Sequence, residues 1–208
     1  MTEAGAADGI AGVLLAGGRA RRMGGGDKCL RSLGDRTVLH HVIDRARPQV
    51  STLVVNANGD AARFAPFDLP VAADVIEGFA GPLAGILTGL EWMRDHAPQC
   101  RWLASFPTDA PFFPDDMVCR MMTAVAEQGA EMACAASNGR SHPVFGLWPA
   151  SLAGDLRHAL VEEEIRKIDA WTARYRLATV PFSAQQHDPF LNINRPEDLA
   201  AAERLAET

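Results

Sequence analysis

The 208-residue chain lacks any run of 18 or more apolar residues, so no transmembrane helix is expected. Its opening, MTEAGAADGIAGVLLAGG, has no basic stretch ahead of the apolar one and makes a poor secretory signal. A flexible leader over residues 1–9, followed by a strand, fits better. Cysteine is sparse: Cys29, Cys100, Cys119 and Cys134 are scattered with no C-x-x-C pair, which argues against a zinc site and a disulfide framework and favours the reducing cytoplasm. Positive charge is in deficit, with 20 Lys and Arg against 26 Asp and Glu and a formal net charge of −6. That balance excludes nucleic acid and an anionic membrane surface as general partners. Repeats, low-complexity blocks and linkers are missing too, so one domain over residues 1–208 is the simplest organisation.

Several catalytic templates are also absent. No P-loop occurs, no G-x-G-x-x-G follows the first strand, and no G-x-S-x-G elbow is present. The six histidines form no metal-spaced cluster. Activated-serine hydrolysis and a dinucleotide-binding Rossmann reading therefore lose support.

What the chain does have is alternation. Apolar runs suited to buried strands (10–16, 51–57, 69–74, 101–106) alternate with helix-period segments (37–47, 82–97, 114–129). In the second helix Pro82 stands at the first position, and Leu83, Ile86, Leu87 and Leu90 share one face. In the third, Asp115 and Asp116 are expected in the first turn as partners of the helix dipole, with a glycine stop. Two strands are expected around NGRSH, then helices from Ser151 and from Ile165 to Arg174, a strand in RLATVPF, and a last helix starting at Pro196. The pattern predicts a three-layer α/β/α fold with a mostly parallel sheet, which binds ligands outside the carboxyl ends of its strands.

Chemistry-bearing residues fall at those ends. LLAGGRARRMGGGDK (14–28) sets Arg19, Arg21, Arg22 and Lys28 in a glycine-rich loop. Backbone N–H groups and cations together suit a triphosphate, though a solvated surface loop has the same composition. Asp109, closing a strand between Pro107 and Pro111, has the chemistry of a Mg²⁺ ligand or of a plain turn residue. Asn56 and Asp74 each close an apolar strand, as nucleoside contacts or as turn caps. Asn194 is a candidate cap for the last helix.

Five segments in order, LLAGGRARRMGGGDK, VVNAN, GPLAG, PTDAP and NINRPEDL, resemble the molybdenum cofactor guanylyltransferases. These are nucleotidyltransferases with a Rossmann-like fold of the nucleotide-diphospho-sugar transferase type. The resemblance runs from about residue 10 to residue 205. It implies transfer of GMP from GTP to a molybdopterin-bound molybdenum cofactor, with Mg²⁺ (or Mn²⁺) as cofactor and diphosphate as the other product. Carried over by position, Leu15, Ala16 and Gly17 would contact GTP through backbone, Lys28 would hold its phosphates, and Asn56 and Asp74 its nucleoside. Gly81 to Gly85 would surround the guanine, Asp109 would bind the metal, and Asn192 and Asn194 would meet the pterin. Lys28, Arg22 and Asp109 would be the catalytic set. Proteins that deliver and collect the cofactor are the further partners implied. Arg195 departs from the family's usual threonine, which would bear on the helix cap.

The implied reaction suits the residues, because a phosphate monoester acceptor needs positioning and charge neutralisation more than a strong base. Two rivals remain at this point: a cytidylyltransferase of the same pathway, and a non-catalytic module that binds nucleotide and delivers cofactor.

Overall fold

In a computed structural model, residues 8–17, 27–78, 81–185 and 187–206 are described. Strand β1 (Ile10–Leu15) leads to a short hairpin, β2 (Ser32–Leu33) and β3 (Arg36–Thr37). Helix α1 (Val38–Ala46), β4 (Thr52–Asn56), a 3₁₀ segment (Ala61–Phe67) and β5 (Val71–Ala72) follow. Then come α2 (Pro82–His96), β6 (Trp102–Pro107), α3 (Met117–Gln128), β7 (Met132–Ser137) and β8 (Arg140–Pro149). The chain continues through α4 (Ala153–Val161), α5 (Ile168–Thr172), β9 (Leu177–Pro181) and α6 (Pro196–Ala206).

Seven strands form one sheet in the order β5-β4-β1-β6-β8-β7-β9. All neighbours are parallel except β8, which runs antiparallel to both β6 and β7. β1, β4 and β6 are buried on both faces, which is why they read as unbroken apolar runs rather than as alternation. One apolar cluster joins α1 and α3 to one face, and another joins α2, α4 and α5 to the opposite face. The expected three-layer α/β/α arrangement is thus the one observed. In α2, buried Leu83, Ile86, Leu87 and Leu90 each contribute on the order of 2 kcal/mol by leaving water.

The chain visits β1 first, then β4 on one side and β6 on the other. The order therefore reverses at β1, and a crevice opens above its carboxyl end. Lys28, Asn56, Asp74 and Asp109, singled out in the sequence, gather there.

Local differences have local causes. Asp115 and Asp116 precede α3 rather than lying in its first turn: Asp116 is the flanking residue without a side-chain cap, and Asp115 pairs with Arg45 at 3.0 Å. Gly129 stops the helix at φ 59°, as expected. The β7–β8 turn is only Asn138-Gly139, both at positive φ (49° and 72°), so the strands reach further into NGRSH than the sequence suggested. The helix anticipated over 165–174 contracts to α5. The β2–β3 hairpin was not anticipated, its strands being two residues each.

The four cysteines are free, and only Cys119 is exposed. Burial raises the Cys29 thiol to about 12, against a smaller opposing hydrogen bond from Thr108, which leaves it unreactive. Among the described residues, no helix is long and apolar enough to cross a membrane.

Candidate active site

A cleft of about 1080 Å³ lies over the carboxyl ends of β1, β4 and β6. Leu15, Ala16, Gly17, Lys28, Asn56, Asp74, Gly81, Asp109 and Asn192 all line it. Arg22, together with Arg19 and Arg21, lies outside the described residues.

The floor is built by the strand ends. The Ala16 amide donates to the Asn56 carbonyl at 2.9 Å, extending the β1–β4 pairing, and Thr108 Oγ1 donates to the Leu15 carbonyl at 3.0 Å. Asn56 is buried, and its Nδ2 donates to Asp74 Oδ1 at 2.9 Å and to the Ala72 carbonyl at 3.2 Å. Asn58 Nδ2 reaches the other oxygen of Asp74 at 2.7 Å. Neither Asn56 nor Asp74 caps a turn. They join each other, which fixes a carboxylate at the cleft's edge.

Gly85 does not line the cleft, yet it shapes it. A Cβ built there would lie 2.4 Å from Asn56 Oδ1 and 2.6 Å from Leu15 Cδ2. Only glycine lets α2 approach so closely, and the approach presses Asn56 into place.

Lys28 begins a short 3₁₀ turn (Lys28–Leu30), and its Nζ donates to Asn194 Oδ1 at 2.6 Å. The side chain of Asn194 is therefore occupied by lysine, and the cap of α6 is supplied otherwise. Asp198 Oδ2 accepts from the amides of Asn194 and Arg195, both at 2.9 Å. That cap uses backbone at position 195, so the arginine there leaves it intact. The Ile193 amide donates to the Asp109 carbonyl at 2.7 Å, which seats Asn192 beside Asp109.

Asp109 is largely buried. Burial pushes its carboxyl above the ordinary range, while the nearby Lys28 charge pulls it back. A carboxylate that burial leaves short of positive charge suits a divalent cation, and one protein carboxylate plus phosphate oxygens is a normal Mg²⁺ set. No group of three or more metal-ligating side chains exists among the described residues, so such an ion would need the nucleotide's phosphates to complete its shell.

Other cleft residues carried no signal in the sequence. Arg63 pairs with Asp27 at 2.5 Å and donates to the carbonyls of Asn58 (2.6 Å) and Asp60, tying the end of the glycine-rich loop to the loop after β4. Arg140, Ser141 and His142, from the start of β8, also line the cleft. The strand-end rule could have found the first group. Nothing local marks the second, because β8 meets the cleft with its first residues.

A crevice at the reversal point of an open α/β sheet, with a glycine-rich sequence after the first strand and a lysine whose charge acts on a largely buried carboxylate, defines a nucleotidyltransferase. The sequence profile of the MobA-like NTP transferase domain matches residues 12–179. A molybdenum cofactor guanylyltransferase of Rhodopseudomonas palustris (strain BisB5) is 56% identical over 194 residues, covering 93% of this chain and 92% of that protein. The crystal structure of molybdopterin-guanine dinucleotide biosynthesis protein A from Archaeoglobus fulgidus superposes with a TM-score of 0.73 at 21% identity, covering 95% of this chain and 98% of that one. Rv0371c of Mycobacterium tuberculosis, crystallised with manganese, has a TM-score of 0.66 at 18% identity, over 94% and 98% of the two chains. The chain belongs to the MobA-like NTP transferase family and, within it, to the molybdenum cofactor guanylyltransferases.

Proposed function

We propose that this protein, acting as a single domain, transfers GMP from GTP to the terminal phosphate of molybdopterin carrying molybdenum. The observation that carries the residue assignments is the convergence of Lys28, Asp109, the Asn56–Asp74 pair and Asn192 on one cleft. The backbone of Leu15 to Gly17 lies where the nucleotide's phosphates enter. Asp74, held by two amides, offers a fixed acceptor to nucleoside N–H or hydroxyl groups, with Gly81 and Pro82 as the wall beside it and Gly85 packed behind. Lys28 stands between Asn194 and the triphosphate position, near enough to Asp109 to offset part of the upward shift that burial imposes on its carboxyl.

The acceptor oxygen attacks the α-phosphorus in line, a new P–O bond forms, and the bond to the diphosphate breaks. Lys28, and Arg22 from the glycine-rich loop, neutralise charge on the departing diphosphate. Asp109 would hold Mg²⁺, or Mn²⁺, which supplies further positive charge to the phosphates when bound. The rest of catalysis is alignment, for which Asn192 and Asn194 meet the pterin side of the acceptor. Unpaired cysteines support a cytoplasmic location, and transient contacts with cofactor-delivering and cofactor-accepting proteins complete the reading.

A nucleotide screen by thermal shift with Mg²⁺ tests it. GTP should stabilise the protein by on the order of 1 kcal/mol at several times its Kd, and CTP and ATP should not. Diphosphate release should require GTP, molybdopterin and the metal together. Equal stabilisation by CTP, or release without acceptor, would overturn the assignment.

A further inference from the structure

The start of β8 bears a construction that the glycine-rich loop, the strand-end residues and the pterin asparagines do not explain. Opposite the single step from Cys134 to Ala135 in β7, β8 advances four residues, from Gly146 to His142. Pro143, Val144 and Phe145 thereby leave the β7 ladder as an enlarged bulge, and all three line the cleft, with Phe145 rooted in the core. Buried Ser105 on β6 pins it: its Oγ donates to the Val144 carbonyl at 2.6 Å and accepts from the Gly146 amide (3.3 Å) and Trp148 Nε1 (2.9 Å).

On the cleft side of the bulge sits His142, with Arg140 two residues earlier on the same strand face. A directed set of hydrogen bonds orients the imidazole. Buried Ser137 donates its hydroxyl proton to Asp188 Oδ1 at 2.8 Å, and Asp188 also accepts from the Phe190 amide at 3.0 Å. With its one proton committed, Ser137 Oγ accepts from His142 Nε2 at 2.7 Å. This fixes the tautomer with hydrogen on Nε2 and a lone pair on Nδ1. The Phe190 ring lies 4.8 Å from the imidazole and holds its plane. No hydrogen bond to Nδ1 is found among the described residues. The arrangement is not a nucleophilic triad, because the carboxylate orients the serine and not the histidine.

We propose that Arg140 and His142 receive the phosphate monoester of the acceptor, with Ser137 and Asp188 as positioning residues that reserve His142 Nδ1 for it. The proposal rests on the guanylyl-transfer reading and names the subsite for its second substrate. The guanidinium supplies charge and hydrogen-bond donors to a phosphate, and the imidazole Nδ1 two residues away accepts the hydrogen bond of its protonated oxygen. The second ionisation of a phosphate monoester lies near pH 6, close to that of imidazole, so the two share one proton. Burial lowers the pKa of His142 and Arg140 adds to this, while Asp188 opposes it, so Nδ1 is free to accept. When the acceptor oxygen attacks, the proton it carried passes to Nδ1, the new P–O bond forms and the diphosphate leaves. His142 is the weak base such an acceptor requires.

Steady-state kinetics with GTP and molybdopterin, varied separately, test this in three variants. His142→Gln keeps a group at the Nε2 position and loses Nδ1, so acceptor KM should rise about tenfold to a hundredfold while GTP KM stays within about twofold. His142→Asn keeps a group near Nδ1 and should retain acceptor KM within about threefold of the parent. Arg140→Ala, at an exposed side chain with no hydrogen bond or ion pair among the described residues, should raise acceptor KM about tenfold. Unchanged acceptor KM in His142→Gln and Arg140→Ala overturns the proposal, as does equal loss in the Gln and Asn variants. A parent enzyme that does not guanylylate molybdopterin refutes the underlying reading instead, so the two failures are separable.

Discussion

Replacing Gly85 by alanine puts a methyl group where α2 presses on the site. The added Cβ would lie 2.4 Å from Asn56 Oδ1 and 2.6 Å from Leu15 Cδ2, against a comfortable separation of roughly 3.5 Å. About 1 Å must come from somewhere. The Leu15 side chain is partly exposed and can swing away, whereas Asn56 is buried and fixed by its bonds to Asp74 and Ala72. Moving its amide by that distance stretches the 2.9 Å bond to a carboxylate beyond useful range, a loss of about 1.5–3 kcal/mol. Alanine returns about 1 kcal/mol through helix propensity, so the net destabilisation is about 0.5–2 kcal/mol. For a chain of this size that is a fall in Tm of roughly 1–8 °C. The functional effect should be larger, because Asp74 loses one of the two amides that aim it: GTP affinity should fall about tenfold or more by titration calorimetry. Gly154→Ala is the control, since a Cβ in α4 meets nothing within 4 Å and should leave both quantities at parent level or raise Tm slightly. Parent-like Tm and GTP affinity in Gly85→Ala would refute the idea that α2 clamps the nucleoside pair.

Asp109→Asn should lower kcat by at least about a hundredfold, the scale on which removal of one electrostatic stabiliser acts. It should also stabilise the metal-free protein at pH 7. The folded carboxyl titrates above its unfolded value, so stability is full below the ordinary carboxylate pKa and is lost as pH rises through the raised one. The Tm gap between variant and parent should close towards pH 4, and a gap of constant size would count against burial as its cause. Asn194→Ala frees Lys28 from its 2.6 Å partner and should raise GTP KM about threefold to tenfold. Asn194→Asp should be worse, since a carboxylate both holds the lysine and repels triphosphate; a parent-like aspartate variant would exclude Lys28 from phosphate binding. Ser105→Ala strips three partners from the β8 bulge and should cost on the order of 3 kcal/mol, seen as a Tm drop of roughly 6–12 °C. A loss under about 1 kcal/mol would show that the bulge holds without it.

The legible parts of the fold were those in which one strong local signal met no competitor. Strands β1, β4 and β6 are central and parallel, so their burial on both faces wrote itself as apolar runs; α2 carried Pro82 and a periodic leucine face. The strand-end positions followed from the same alternation, which is why Lys28, Asn56, Asp74 and Asp109 could be singled out. What escaped was set by distant partners. Asn194 looks like a helix cap in its own neighbourhood, but the cap belongs to Asp198 and the asparagine faces a lysine 166 positions earlier. Asn56 and Asp74 look like separate turn residues until parallel pairing sets β4 beside β5. His142 gave no signal, since the bulge that presents it depends on Ser105, remote in sequence.

An acidic chain that handles a triphosphate must also keep its own cations from collapsing onto its carboxylates. Here two of the described cleft cations are engaged: Arg63 holds Asp27, and Lys28 donates to the neutral amide of Asn194. The choice of asparagine at position 194 has a physical consequence. A direct ion pair between Lys28 and Asp109 would be broken by every incoming nucleotide and would compete with metal for the same oxygens. An amide acceptor orients the ammonium while leaving its charge unspent, and Asp109 keeps a raised pKa and an unmet demand for positive charge. Nucleotide and divalent cation then satisfy the two sides together: the phosphates take the lysine and the cation takes the carboxylate. Binding of either should strengthen binding of the other, and GTP affinity measured with and without Mg²⁺ should differ about tenfold or more in the parent and by much less in Asp109→Asn.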